Sequence, residues 1–368
     1  MSVLSPAGVV ISEQEHRERA AAHHQKVRGY ADAFLARRNA GEKHPVEDFL
    51  FTYYSYKPGQ LSRWHPGAGR VLQGAGASEQ AGWKFYTTTP DGTPSSGATV
   101  DVGRFRRERA SIIDFARRLL SRTAARPAQL GCFGLHEWAM VYRSREHGQR
   151  HDQVPLRLGA EGTDEVVESL NIRCTHFDAF RFYTPSARPL NALQPTRENQ
   201  VDLEQPGCLH ANMDLYKWAY KLIPVVSSDL LLDCFDLAWR IRELDMRASP
   251  YDLQDWGYAP VRIEEPAGRA EYARAQKGFS EEAQVLRSRI LAVLDEVDEL
   301  ADAEGAEDPA SGRIAPPPSC DQAISGPFQE QGGAIRGEAA LDHRSGGVDA
   351  AQRPGVVHAG QHEGRGHQ

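Results

Sequence analysis

The sequence predicts an α+β fold dominated by helices. One main domain spans about residues 11–300 and carries a small mixed or antiparallel sheet, between a loose N-terminus (1–10) and a disordered low-complexity tail (301–368). Three observations predict this. Apolar residues recur at helical spacing over long stretches, as in Leu231, Cys234, Ala238 and Ile241, and again in Leu286, Ile290, Val293, Val297 and Leu300. Short aromatic-rich runs bounded by proline and glycine turns supply only a few candidate strands. From Ala301 on there is no lysine, tyrosine or tryptophan and a single phenylalanine, Phe328, so the tail lacks the apolar surface a core requires, and its histidines are set aside as ligands.

Taken in order, Ser12 and Glu15 have capping-box spacing and open a charged surface helix that ends near Gly41. The run 44–58 reads as a second helix with Pro45 in its first turn, a band of Phe49, Leu50, Tyr53 and Tyr54, and Pro58 at its end. His44 either caps that helix or shares a face with Glu47. Residues 57–80 read as a glycine-rich connection, and 83–89 as a strand stopping at the Pro90-Asp91-Gly92 turn. A helix over 101–126 places Phe105, Ile112, Ala116 and Leu119 on one side and carries eight arginines against three acids. Arg104, Arg106, Arg107 and Arg109 are the candidates there for phosphate, which a guanidinium fork grips with paired hydrogen bonds. In 131–143 an apolar run is interrupted by His136-Glu137, of which one is expected to face inward. The runs 155–158 and 258–263 read as strands, Thr163 as the cap of a short helix, and 267–300 as one or two helices. The alternation in 172–183 predicts a half-buried strand with His176 and Asp178 on its more apolar face.

The segment on which the chemistry centres is 205–224, a helix opened by Pro206-Gly207 and closed by Pro224. It is apolar nearly all round, apart from one row at i, i+4, i+7, i+11: His210, Asp214, Lys217 and Lys221. Such a row must face partners or a cavity, because an unpaired buried charge is costly. His136, His176 and His210 together would make a site for Zn, Mn or Fe, since those ions accept mixed nitrogen and oxygen ligands. The bland alternative is that each is a hydrogen-bonded core histidine.

Composition narrows the function classes. A formal net charge of −7 over 368 residues gives no global attraction to nucleic acid, so any DNA-binding face has to be local. The five cysteines are scattered, with no CxxC pair, which reads as reduced thiols and a cytoplasmic protein. No apolar run approaches the roughly 18 residues of a membrane span. The absence of GxxxxGK[ST], of GxGxxG after a strand and of GxSxG argues against a P-loop kinase, a dinucleotide dehydrogenase and an α/β-hydrolase, and there is no HExxH.

Five segments, KHPVEDFLFTYYSYKP (43–58), GCFGLHEWAMVYR (131–143), IRCTHFDAFRFYTP (172–185), QPGCLHANMDLYKWAYKL (205–222) and LDMRASPYDL (244–253), resemble a family of high-GC bacterial proteins labelled 3-methyladenine DNA glycosylase. The resemblance covers about 40–300 and implies hydrolytic release of alkylated purines from DNA, with no metal or other cofactor. That chemistry needs a stacking clamp for the flipped base and a carboxylate to orient water or stabilise the sugar cation. Tyr53, Tyr54, Trp138, Tyr216 and Trp218 offer ring faces, and Asp178, Asp214 or Glu137, with His210, offers the acid–base group. The other readings are a metal-dependent oxidoreductase or hydrolase acting on a small molecule, and a binding protein without catalysis.

Overall fold

The sheet is built from strands of three residues each, which is why composition barely announces it. In the computed structural model, which describes residues 8–75, 79–89, 97–149 and 151–307, strands β1 (Val9–Ile11), β2 (Arg70–Leu72), β3 (Tyr86–Thr88) and β4 (Ala98–Val100) line up in the order β1-β2-β4-β3. The sheet is mixed: β1 runs parallel to β2, with Val10 opposite Val71, and the other two pairings are antiparallel. The loose start and the glycine-rich connection expected from sequence therefore each contribute a strand. Of the four expected strands only 83–89 forms, shortened to β3. Residues 155–158 reach only an isolated bridge, Leu156 to Tyr251, and 258–263 lies outside any strand.

Around this sheet the fold is a single, predominantly helical domain. Helix α1 (Glu13–Ala40) starts where the Ser12 side chain accepts from the Glu15 amide and stops at Gly41, whose positive φ of 72° suits glycine. The second expected helix shrinks to α2 (Phe49–Tyr53), because His44 Nδ1 accepts the amides of Val46 and Glu47 and holds the preceding turn. His44 thus caps this turn and not α2, whose N-cap is Asp48, and its Nε2 also lies 3.9 Å from Glu47. The arginine-rich helix is broken at Arg109 (φ −114°, ψ 12°) into α3 (Val102–Glu108) and α4 (Ala110–Ala124).

Among the short helices that follow are α5 (Leu135–Ala139), α6 (Gly159–Ser169) and α7 (Phe177–Phe180). Thr163 lies inside α6, where its hydroxyl donates back to the Gly159 carbonyl (2.7 Å), and does not cap it. The 172–183 run is not a strand. Asn191 accepts the Cys174 amide (2.7 Å) and donates to its carbonyl (3.1 Å), so one side chain does the work of a ladder partner and the chain then turns into α7. Local pattern loses to this tertiary contact.

The domain closes with α8 (Leu209–Lys221), α9 (Ser228–Arg247) and α10 (Pro266–Glu307). Helix α8 packs most extensively on α9, and α10 is one uninterrupted helix lying along α3, α4, α8 and α9. It crosses the expected domain boundary at 301 and reaches Glu307; the rest of the expected disordered tail lies outside the described residues. The buried faces of α8 and α9 supply Met213, Leu215, Tyr216, Leu231, Cys234, Phe235 and Ile241 to one core, which α10 covers with Leu286, Ile290, Leu294 and Val297. At the far end of α10, Arg106 pairs with Asp298 (2.6 Å), and Arg117 with Asp298 (2.6 Å) and Asp295. Much of the arginine excess thus serves helix packing.

Candidate functional site

The polar row of α8 faces a buried cluster, and its first member, His210, stands among the other two histidines. The ring centroid of His210 is 4.4 Å from that of His136 and 5.5 Å from that of His176. His136 is delivered by α5, which follows a turn at Gly134 (φ 72°), where a Cβ would meet Tyr272 at 3.4 Å. His176 sits at the entrance to α7, at the end of the extended pair that Asn191 fixes.

The sequence reading did not include the fourth member, Asp245 of α9, which is 0% exposed. Its Oδ1 lies 2.9 Å from His136 Nε2, yet the two are not aligned as a hydrogen bond. Among the described residues, His136 Nε2 and both Asp245 oxygens have no hydrogen-bond partner. One donor atom each from His136, His210 and Asp245 falls within 4.8 Å of the others. Ligands about 2.0–2.2 Å from one ion stand roughly 2.8–3.6 Å apart at octahedral or tetrahedral angles. The three donors therefore need to close by only on the order of 1 Å to share an ion.

Electrostatics divides that donor set, since His136 must give up a proton before it can ligate. Burial works against charge on His136 and Asp245, but each offsets it for the other: the Asp245 carboxylate raises His136 well above the ordinary histidine range, and His136 lowers Asp245. Burial, reinforced by His136, lowers His210 far below its ordinary value, which leaves its imidazole neutral as a ligand must be. Around them lies an orienting layer of the kind metal sites use. Cys132 Sγ is 3.8 Å from His136 Nδ1, and Arg242 Nη1 lies 3.6 Å from Asp245 while donating to Glu137 (3.0 Å).

His176 belongs to an adjoining network. Its Nε2 is 3.4 Å from both Glu204 and Asp214, and neither ring nitrogen makes an aligned hydrogen bond. Asp214 accepts from Tyr54 Oη (2.9 Å) and pairs with Lys217, which also reaches Asp178 (3.4 Å). Burial would raise the Asp214 carboxyl, but Lys217 and His176 outweigh it and hold it below the ordinary carboxylate range. Asp178, half-buried on α7, also pairs with Arg181 (3.1 Å), and the row runs from the half-buried His210 through the buried Asp214 to the exposed Lys221.

Beside the histidines lies a cavity of about 60 Å³. Cys132, Cys174 and Cys208 line it, as do His136, His210, Thr175, Tyr272 and Gln276, while Gln129, Gly131 and Arg173 are exposed at its outer side. Gly207 makes the wall possible. A Cβ there would sit 2.4 Å from the Gln129 carbonyl oxygen, so only glycine lets the 129 loop approach the start of α8 this closely.

Several expected residues land elsewhere. Asp245, not His176, completes the three-donor group. Both His136 and Glu137 are buried, because α5 is wedged between elements, and Glu137 is held by Arg242 on the side away from the cavity lining. His176 and Asp178 do not hydrogen-bond each other; each is tied to Asp214 or Lys217. Among the proposed stacking rings, Trp138 and Tyr216 are 0% exposed, and Tyr54 and Trp218 are buried as well. Trp138 spends its Nε1 on the Ala248 carbonyl (2.9 Å), so these four are core residues. Tyr53 is half-buried and stacks on Phe49. Arg104 pairs with Glu108 (2.7 Å), Arg106 with Asp298, Arg109 lies over the Phe85 ring, and Arg107 is exposed.

Asp245, Arg242 and Glu204 were missed, and the first carried a readable signal. Asp245 continues the spacing of Leu231, Cys234, Ala238 and Ile241, so a carboxylate stands on the buried stripe of α9. Among the described residues no helix is long and apolar enough to cross a membrane. No protein-family model, no curated protein and no solved structure matches the chain.

Proposed function

We propose that the protein is a metal-dependent enzyme, a hydrolase or oxidoreductase, acting on a small polar molecule in the cavity beside His210. The observation that carries this reading is the convergence of His136, His210 and Asp245, two buried donors and one half-buried, whose nearest pair has no hydrogen-bonding alignment. Two imidazoles and one carboxylate suit Zn, Mn or Fe and leave coordination positions for water or substrate. When bound, such an ion supplies Lewis acidity to a carbonyl or to water. The protein's own groups do the rest: Asp245 and the histidines fix the centre, Arg242, itself held by Glu137, stands beside Asp245, and the apolar wall around Leu209 and Tyr272 limits water. The test is the metal content of the full chain by mass spectrometry after purification without chelating resin. One equivalent of a transition metal, lost together in His210→Ala and Asp245→Asn, supports the reading; a metal-free chain after incubation with Zn²⁺, Mn²⁺ or Fe²⁺ refutes it.

A second reading is excision of alkylated bases from DNA. One observation favours it: Asp178, Arg181, Lys217 and Tyr53 gather where α7 meets α8, and they put a carboxylate, cations and an aromatic ring on a partly exposed surface. Release of methylated purine from alkylated duplex DNA in the presence of chelator, abolished by Asp178→Asn, would support it over the metal reading.

A further inference from the structure

Arg173 has no ion pair among the described residues and stands at the outer side of the cavity whose inner wall carries His136 and His210. With Asp245 as the one carboxylate among the three donors, a bound divalent ion leaves the centre with net positive charge, and Arg173 adds to it. A positive entrance leading to a positive centre concentrates anions. Size is set by the cavity: at about 60 Å³ it holds a few waters, or a ligand of about five non-hydrogen atoms. Inside, Gln276 is 0% exposed and donates its Nε2 to the Gly207 carbonyl (2.6 Å), while its Oε1 has no partner among the described residues. A buried acceptor without a donor asks the ligand for an O–H or N–H.

From these observations, and resting on the metal reading above, we propose that the site takes a short carboxylate bearing a hydroxyl or amino group, drawn in past Arg173 and hydrogen-bonded by Gln276. Size excludes a nucleobase with its sugar. Charge disfavours neutral alcohols and amines. The unpaired acceptor distinguishes a hydroxy or amino acid from the plain acid of the same length, and the ligand's carboxylate is left to meet the ion and Arg173.

The test uses the full-length protein loaded with Co²⁺, whose visible absorption reports ligands entering its coordination sphere, titrated with glycolate, acetate and ethylene glycol. The expected result is a saturable change with glycolate, about tenfold weaker binding of acetate from the one lost hydrogen bond, and no change with the neutral diol. Arg173→Gln, at an exposed position, should weaken both acids and leave Co²⁺ content intact. Gln276→Met should bring glycolate down to acetate. If Co²⁺ does not bind, the metal reading falls and takes this inference with it. If Co²⁺ binds but the diol matches glycolate, or Arg173→Gln leaves both affinities unchanged, the inference alone falls.

Discussion

Replacing Asp245 with asparagine separates a metal ligand from a structural ion pair. The side chain is fully buried, 2.9 Å from His136 and 3.6 Å from Arg242, so the isosteric amide removes a charge without opening space. Removing one partner of a buried pair costs about 3–5 kcal/mol when the other charge is stranded. Here the stranding is partial, because Arg242 keeps Glu137 at 3.0 Å and His136 can shed its proton, so the lower end, about 3 kcal/mol, is expected without metal. With an m-value of about 3 kcal/mol per molar urea, the midpoint drops by about 1 M. The discriminating measurement repeats the urea titration with Zn²⁺ and then with chelator. A ligand set gives the parent chain about 2.7 kcal/mol of extra stability at one hundred times the dissociation constant, and gives Asp245→Asn almost none. A parent midpoint that ignores both Zn²⁺ and chelator would refute the metal assignment, and the 3 kcal/mol would then belong to an ion pair alone.

Three further outcomes follow from residues outside that centre. Burial, helped by Arg63, lowers His65 from 6.5 to about 3, so the folded state resists its protonation; its contribution is complete above pH 6.5 and is lost as pH falls toward 3, at about 1.4 kcal/mol per unit. Urea titrations at pH 7 and pH 5 should therefore show a loss about 2 kcal/mol smaller in His65→Gln than in the parent, and equal losses would refute this. Gly207→Ala forces its Cβ to within 2.4 Å of the Gln129 carbonyl oxygen and should cost about 1–3 kcal/mol in the same assay, with an unchanged midpoint as the refuting result. Replacing Arg106 and Arg117 by alanine removes exposed pairs to α10 and should change stability by about 1 kcal/mol or less each; if these arginines instead hold DNA phosphates, the salt dependence of DNA binding will flatten measurably.

Legibility from the sequence followed segment length and environment. The long helices α1, α8, α9 and α10 were readable because periodicity averages over many residues, and Ser12 and Gly41 mark the ends of α1 as capping chemistry requires. Three-residue strands offer too few positions for alternation to register, so β1, β2 and β4 were invisible. The 172–183 run misled because its aromatic residues are as content in a buried loop as in a sheet, and the decisive partner, Asn191, lies 17 residues from Cys174. The polar row on α8 was legible as a face. What it faces was not, because Asp245, Glu204 and the cavity cysteines come from other elements and only folding brings them together.

Burying this cluster has a cost. His136 Nε2, both nitrogens of His176 and both oxygens of Asp245 are buried without a hydrogen-bond partner among the described residues. These five atoms belong to three side chains, which at about 1–3 kcal/mol for each unsatisfied group cost on the order of 3–9 kcal/mol, a large share of a domain's net stability of roughly 5–15 kcal/mol. Charge pairing between Asp245 and His136 recovers part of that, and the Asp214–Lys217 pair steadies the neighbouring network, but apolar residues of similar volume would avoid the cost altogether. Elsewhere in the same core Trp138 caps its indole on the Ala248 carbonyl and Asn191 satisfies Cys174 on both sides, while Tyr216 Oη and both ring nitrogens of His16 also lack a hydrogen-bond partner among the described residues. What sets this cluster apart is that one donor atom each from His136, His210 and Asp245, carried by three separate helices, falls within 4.8 Å of the others.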